Sequence, residues 1–467
     1  MIQRFKPHLG IFILIIFVLL SRLIFLSHWL EDWDSVQFAL AIHDFSVLDH
    51  QPHPPGYPLY VLMGKLIYFF IRDDLLSLVS LSVIFSSLAV VLLYKLTKHM
   101  FDTKTAILAS IMLMFIPIFW IFSELPLSNI PGFSLYLLII YQMYKYHRNL
   151  KIMILISFFA GLSLGVRTTE FPIMIGLLGF IIVKNSNLKY LYILPAFALG
   201  IAAWFGPVLI LTGVENFQSS LSTITGYATD KSSFSNSLFI ENILWNRLEK
   251  FISLFKVSFT TPFLIISSLS LLWLISRKSL LKNFNYQFLS VWILFYGILF
   301  FILHMFVYYD LGLAQYTLAI LPPLIILVTS ILSRKNFLLI LYLFLVINLI
   351  YTSWSYLQHQ SQITPPTIAP VIYVKNNFSP DNTTLITTFT YRQFQYYAPQ
   401  FENYHPLKNS PKKLKDIVIV DYDGLISQIP ALKKYEVVEK REFSNPELFF
   451  SRINDTKLYI LKISKEI

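Results

Sequence analysis

The residues with the most chemistry in them lie between positions 31 and 60, EDWDSVQFALAIHDFSVLDHQPHPPGYPLY, where acids and histidines sit between two strongly apolar segments. Ionisable groups at a membrane boundary are costly to keep and tend to mark working sites. Asp32 and Asp34 flank Trp33, and carboxylates so placed could hold a cation or take a proton from an incoming hydroxyl. The competing reading is structural: Asp caps helices well, and the following SVQFALAIHDF reads as an amphipathic helix lying along the membrane surface. Asp49, His50 and His53 have the composition of a metal site, but they lack helical HxxxH spacing and prolines interrupt them. Further along, Glu124 stands in IFSELPLSN, and Arg167 ends an apolar, small-residue stretch in GLSLGVRTTE with Glu170 just beyond. An arginine near a helix end can simply snorkel, yet acids beside an arginine at one membrane face could also form a site for an anionic head group. A divalent cation held by Asp32, Asp34 or Glu124 is a further option; no cofactor is required by the sequence.

The elements that must position these groups are membrane helices. Of the 467 residues 55% are hydrophobic and only 13% charged, against roughly 25% charged in soluble domains. Runs long enough to cross a bilayer read at about 11–26, 76–96, 106–122, 133–144, 152–166, 171–183, 191–211, 263–275, 288–307, 316–332 and 337–354, which gives about eleven transmembrane helices. The stretch Pro58–Ile71, carrying Lys65, follows a Pro/Gly string that cannot be a helix interior and ends in Arg72-Asp73-Asp74. It reads as a juxtamembrane helix. Lys and Arg crowd alternate connections, from Arg4 and Lys6 to Arg334 and Lys335, whereas the short connections 28–57, 123–130 and 308–315 carry none. By the positive-inside rule the N-terminus is cytoplasmic and the short connections face outward. The net charge of +11 is thereby explained by contact with anionic membrane lipid, without nucleic acid.

Residues 1–354 thus read as a transmembrane domain with its first outer loop at 28–74. The segment 355–467 is different material, with the charged run KNSPKKLKD, Pro-rich turns and β-like runs at 383–391, 416–421 and 457–462. It reads as a small extracytoplasmic α/β domain. The absence of cysteine excludes disulfides, thiol nucleophiles and Cys-based metal sites. No phosphate-loop lysine motif, GxSxG or soluble dinucleotide fingerprint occurs, so cytosolic nucleotide chemistry has no place here. Arg4 and Lys6 precede an apolar run without a small-residue cleavage pattern, which favours an uncleaved first span over a signal peptide.

The order of first span, outer loop with an early acidic motif, H-P-P string, many further spans and a final outer domain resembles the GT-C superfamily of membrane glycosyltransferases, in the group of protein O-mannosyltransferases and lipid A aminoarabinose transferases. HPPGYPLY, His53 to Tyr60, is similar to the string of one O-mannosyltransferase branch, and AQYTLAILPPL resembles the R-Y-x-L-x-x-L-P-P element, with Gln315 where Arg is common. The resemblance covers the first third of the chain by motif and the rest by topology. It implies an inverting transfer of a sugar from a polyprenyl-phosphate donor to a glycan, lipid or protein acceptor. Asp34 matches the base, with Asp32 beside it; Gln37 stands near the place where the family often has Glu. Glu124 corresponds to the acid after the third span, Arg167 to a phosphate contact, and Lys65, His53, Tyr57 and Gln315 to further donor or substrate contacts. It also implies a cell-envelope membrane, such as the bacterial inner membrane. Two other classes compete: a multi-spanning transporter or lipid flippase, which should bury charges at mid-span in broken helices, and a non-catalytic glycolipid-binding subunit, which would not need Asp34.

Overall fold

The computed structural model describes residues 2–232, 243–306, 311–406, 413–445 and 455–463; parts of the connection 308–315 and of the KNSPKKLKD run lie outside the described residues. The chain forms two compact units, one of residues 1–27 with 41–358 and the other of residues 28–40 with 359–467.

The helices of the first part of the chain are α1 (Ile2–Leu23), α2 (Trp33–His43), α3 (Pro58–Ile71), α4 (Asp74–Met100), α5 (Thr103–Phe115), α6 (Pro117–Phe122), α7 (Asn129–Tyr146), α8 (Leu150–Ser163) and α9 (Phe171–Asn185). They are followed by α10 (Ile193–Thr212), α11 (Val214–Ser232), α12 (Ile243–Phe259), α13 (Thr261–Ser276), α14 (Phe284–Phe306), α15 (Leu321–Leu332) and α16 (Leu338–Gln362). Among the described residues, five stretches are long and apolar enough to cross a membrane: Asp74–Met100, Leu188–Thr212, Phe284–Ile302, Ala314–Leu332 and Leu338–Gln362. A sixth arises if Arg247–Phe259 and Thr261–Ser276, bent by 106°, count as one span. This is an integral membrane protein. The crossings expected at 11–26, 106–122, 152–166 and 171–183 fall on shorter apolar helices and the one at 133–144 on α7; the third is broken in two where Pro117 ends the α5 hydrogen-bond ladder.

Local sequence accounts for several boundaries. Pro58 occupies the first turn of α3, where its missing N–H costs nothing, and Arg72 closes the helix in the left-handed region at φ 59°. Asp73 caps α4 by accepting the Leu76 N–H at 2.8 Å. Preceding α3, residues 46–57 form a closed clip: Ser46 and Gln51 exchange backbone hydrogen bonds of 2.9 and 2.7 Å, and Gly56 takes φ +101° where an added Cβ would lie 3.0 Å from Val47. The Leu59 N–H donates to Gly165 O at 3.1 Å, joining the end of this string to the end of α8. Helices α8 and α10 approach through a reciprocal pair of glycines. A Cβ on Gly161 would sit 2.0 Å from Phe197 O, and one on Gly200 2.0 Å from Phe158 O, the close backbone contact that small residues allow in membranes.

Two features depart from the sequence expectation. Helix α2 is not a half-wet surface helix; Ser35 to Ala39, Ala41 and Ile42 are all buried. Helices α11 and α12 occupy a region where no element was expected.

The second unit carries a five-stranded sheet of order β2-β1-β3-β5-β4, with β1 (Thr383–Ile386), β2 (Glu402–Tyr404), β3 (Ile417–Val420), β4 (Tyr435–Ser444) and β5 (Asp455–Ile463). β1 pairs in parallel with β2 and β3, and β5 runs antiparallel between β3 and β4. The runs IVIV and LYIL are apolar on both faces because both faces are covered. Leu385, Ile419, Leu458 and Ile460 pack with α17 (Ala369–Asn377) and α18 (Tyr391–Tyr397) through Val371, Val374 and Phe394. The alternate residues Ile386, Val418, Val420 and Leu461 meet α19 (Gly424–Gln428) and its surroundings through Leu425 and Leu432. Period-two side-chain direction divides each strand between these two cores.

Candidate functional site

The acidic motif of the first loop belongs to the unit that contains the sheet. Asp32 is the helix cap: its Oδ1 accepts the Asp34 N–H at 2.8 Å, while its carbonyl accepts from Val36 N at 3.2 Å and Ser35 Oγ at 2.6 Å. Asp34 stands in the first turn of α2. Of the two roles weighed for this pair, capping falls to Asp32. Just before it, Glu31 has its backbone carbonyl bonded by Thr367 Oγ1 and by Gln393 Nε2, both at 2.9 Å, and its carboxylate Oε1 by Gln360 Nε2 at 3.0 Å. Burial, with the Asp32 charge adding to it, pushes the Glu31 carboxyl up to about 7, against the bond from Gln360. Trp33 donates its indole N–H to Phe389 O at 3.1 Å.

The second cluster lies in the helical unit and surrounds Arg167. Its Nη1 donates to Ser128 Oγ at 3.2 Å and its Nη2 to Gln315 Oε1 at 3.1 Å; Nε is 3.6 Å from Glu170 Oε1. Asn129 Nδ2 donates to the same Gln315 oxygen at 2.9 Å, and the guanidinium lies 5.9 Å from the centre of the Tyr316 ring. Arg167 is 8% exposed, so it does not snorkel; it is built into a polar pocket. Gly132 makes this possible, since a Cβ there would lie 2.6 Å from Arg167 Cβ. The structure thus brings Arg167 and Gln315 together, 148 residues apart in sequence.

Other candidates lie elsewhere. Glu124 is buried, accepts the Trp120 indole N–H at 2.7 Å and interacts electrostatically with Arg22. Arg22, fully buried at the end of α1, donates to Met114 O at 2.6 Å and to Ser21 Oγ at 3.0 Å and packs against Trp120. His53 and Tyr57 contact each other, ring centres 5.0 Å apart, and Lys65 is half-buried on α3. Among the described residues no three His, Asp or Glu side chains converge as metal ligands. Of the three acids named for a cation, Asp32 and Asp34 belong to one compact unit and Glu124 to the other.

Sequence reasoning missed Ser128, Asn129, Arg22 and the partners of Trp33. Arg22 had a visible signal, a charge inside an apolar span. Ser128 and Asn129 had none, being small polar residues in a connection. An apolar cavity of about 370 Å³ also runs between α7 and α8, lined by residues from Tyr146 and Gln142 up to Ser163 and Val166, with Leu59 of α3.

The fold is shared with the solved structures of ArnT and of an archaeal oligosaccharyltransferase. The chain is similar to ArnT from Cupriavidus metallidurans bound to undecaprenyl phosphate, with a TM-score of 0.57 and 10% identity over 99% of each chain. It is also similar to the Archaeoglobus fulgidus oligosaccharyltransferase in the apo form, with a TM-score of 0.52 and 12% identity, covering 89% of this chain and 69% of that one. AglB from the same organism, in complex with an inhibitory peptide and a dolichol-phosphate, gives a TM-score of 0.52 at 12% identity over 89% and 70%. More particularly, residues 34–190 match the family model of the protein O-mannosyl-transferase TMEM260 N-terminal domain, a span that holds Asp34, the HPPGYPLY string, Glu124 and Arg167. No curated protein matches the chain in sequence. The transporter alternative gains no support from any of these likenesses.

Proposed function

We propose that this protein is a glycosyltransferase that moves a hexosyl or pentosyl group from a polyprenyl-phosphate donor to a hydroxyl-bearing glycan, lipid or protein acceptor. Asp34 acts as general base. It takes the proton as the acceptor oxygen bonds to the anomeric carbon; the bond from that carbon to the phosphate oxygen breaks, and the polyprenyl phosphate leaves with the electron pair. Attack opposite the leaving group inverts the anomeric centre. Arg167 provides the charge for the phosphate, and Gln315, whose oxygen it shares with Asn129, holds the guanidinium in place; Lys65 on α3 is a second cation for the donor. A lipid phosphate is already a good leaving group, so orientation and a fixed positive charge are the main requirements.

The observation that carries this reading is the division of labour at the motif: Asp32 caps α2, and Asp34 stands in the first turn at the point where the O-mannosyl-transferase family match begins. The likeness over the whole length of ArnT, whose structure holds undecaprenyl phosphate, supports the donor class. The test is to incubate the purified protein in lipid with a panel of radiolabelled polyprenyl-phosphate sugars and to follow release of the lipid phosphate. No release from any donor, with an acceptor extract present, would remove the enzyme reading.

The proposal includes eleven crossings, a cytoplasmic N-terminus and an outer α/β unit in a bacterial envelope membrane. It is supported by the basic residues of alternate connections. A cysteine at Ser46 should react with an impermeant reagent in intact cells and one at Ser186 only after lysis; labelling of Ser186 in intact cells would invert the topology.

A further inference from the structure

In open α/β sheets, ligands bind outside the carboxyl ends of parallel strands. In this protein that edge is occupied by its own first loop. β1 ends at Ile386 and gives way to the loop Thr387–Thr390; β3 ends at Val420 and is followed by Asp421; β2 ends at Tyr404 and is followed by His405. Trp33 lies against both the first and the last of these exits: its indole N–H donates to Phe389 O at 3.1 Å, and its ring centre is 6.3 Å from that of His405.

The loop that receives Trp33 is itself fixed by a buried carboxylate. Asp421, 3% exposed, accepts four hydrogen bonds: from Thr388 N at 2.7 Å, Thr388 Oγ1 at 2.9 Å, Thr390 N at 2.9 Å and Thr390 Oγ1 at 3.0 Å. Phe389 lies between these two threonines, so its carbonyl is aimed by Asp421. Upstream of Trp33, Leu30 N donates to Tyr397 OH at 2.8 Å, and Glu31 O receives Thr367 and Gln393 at 2.9 Å each. Gln393 and Thr390 are fully buried and Thr367 nearly so. A surface loop that only needed burial would have little use for so many directed bonds at residues 30, 31 and 33, with partners more than 330 positions away.

We infer that the α/β unit is the jig for the reacting acid: Asp421, acting through the Thr387–Thr390 loop on Trp33, and Gln393, Thr367 and Tyr397, acting on the backbone of residues 30–31, are positioning residues for Asp34. The inference rests on the reading of Asp34 as base. None of these residues is called on to touch substrate; they fix where the first turn of α2 begins. A displacement of about 1 Å at a reacting group lowers turnover by about 10²-fold, which sets the size of the effect.

The experiment uses the full-length protein in lipid and three variants, Asp421→Asn, Thr390→Val and Trp33→Phe, with Thr390→Ser as the conservative control that keeps the hydroxyl donor. Two readouts are taken: amide hydrogen exchange of the peptide covering residues 28–40, and kcat with donor KM and the pH–rate profile. The expected result is faster exchange at residues 30–36 and a kcat lowered about 10- to 100-fold, with donor KM and the pKa of the acidic limb unchanged, and near-parent behaviour of Thr390→Ser. Unchanged exchange in Thr390→Val and Trp33→Phe overturns the inference, as does faster exchange with unchanged kcat, which would make the contact a plain docking surface. Should Asp421→Asn fail to fold, the two milder variants still decide. Failure of the base reading is separate: it shows as full turnover in Asp34→Asn, whereas the exchange of residues 28–40 reports the clamp whatever Asp34 does.

Discussion

The two clusters on which the proposed transfer depends are built in opposite ways. Around Arg167 the side chain itself is gripped: Ser128, Gln315 and Glu170 each take one of its nitrogens, and it is 8% exposed. At the acidic motif the grip falls on the backbone of Leu30 and Glu31 and on the indole of Trp33. The difference follows from the chemistry asked of each. A fixed charge for a phosphate works best when held still and surrounded by matched dipoles, because no reorganisation is then needed during reaction. A base must exchange a proton, so its support is better delivered through the chain that leads to it. Structure and function are therefore entangled at Arg167 and separable at Asp34.

The largest expected effect tests the separable side. Asp34→Asn keeps size and leaves the Asp32 cap in place but cannot accept the proton, so turnover should fall by about 10²–10⁴ while the melting temperature and donor affinity stay at the parent values. Turnover and thermal unfolding measured on the same purified variant check this. An active Asp34→Asn protein would erase the contrast, because Asp34 would then not be the base that the backbone grip serves.

Arg167→Ala tests the entangled side. Loss of a charge-assisted contact should weaken donor binding about 10- to 150-fold, or about 1.5–3 kcal/mol, and it should also lower thermal stability, because Glu170 and Gln315 lose a partner inside a buried site. Donor titration and thermal unfolding together decide: normal stability with weakened binding would mean that the Arg167 network is not structural. Gly161→Ala then asks whether the cation site can be disturbed from a distance. The added methyl meets Phe197 O at 2.0 Å, so α8 must move away from α10 at a cost of about 1–3 kcal/mol. Residues 164–167 follow directly from α8. Donor affinity should drop by less than in Arg167→Ala, without change in the pH–rate profile that reports Asp34.

How far these features could be read from the sequence depended on how local their causes are. The bounds of α3 follow from Pro58 and the Arg72-Asp73-Asp74 stop, all within one short segment. The runs IVIV and LYIL announce strands buried on both faces. Strand β4, YEVVEKREFS, gave no such sign: most of its side chains are exposed, and its main determinant is the long ladder with β5. The β-like run at 383–391 breaks at Ile386, because Thr388 and Thr390 turn their N–H groups to Asp421, a partner no local pattern reveals. Arg167 was visible as a lone charge closing an apolar helix, and Gln315 through a motif; that they share a bond was not, since nothing local links positions 148 residues apart. The membrane character could be read from the apolar runs, whereas the members of the Arg167 cluster that the sequence named were legible one by one but not as an assembly.

The smallest expected effect probes the backbone grip through the titrating side chain of Glu31. Burial raises the Glu31 carboxyl from 4.5 to about 7, so the folded chain binds this proton more tightly than the unfolded one. The stabilisation is complete below about 4.5, the ordinary value, and is lost as pH rises through the window up to about 7. Glu31→Gln stays neutral at every pH, keeps an amide oxygen for Gln360 and leaves untouched the backbone carbonyl that Thr367 and Gln393 hold. Thermal unfolding followed from about pH 4 to about pH 8 should show a flatter slope in the variant, equal stability at the acid end and a gain at the alkaline end of about 2–4 °C per kcal/mol recovered. Parent-like pH dependence would mean that the Glu31 side chain contributes nothing to the unit's acid response. Because its carboxylate is bonded to Gln360 while its carbonyl carries the clamp, turnover should hardly change, which separates the side chain of residue 31 from the backbone that positions Asp34.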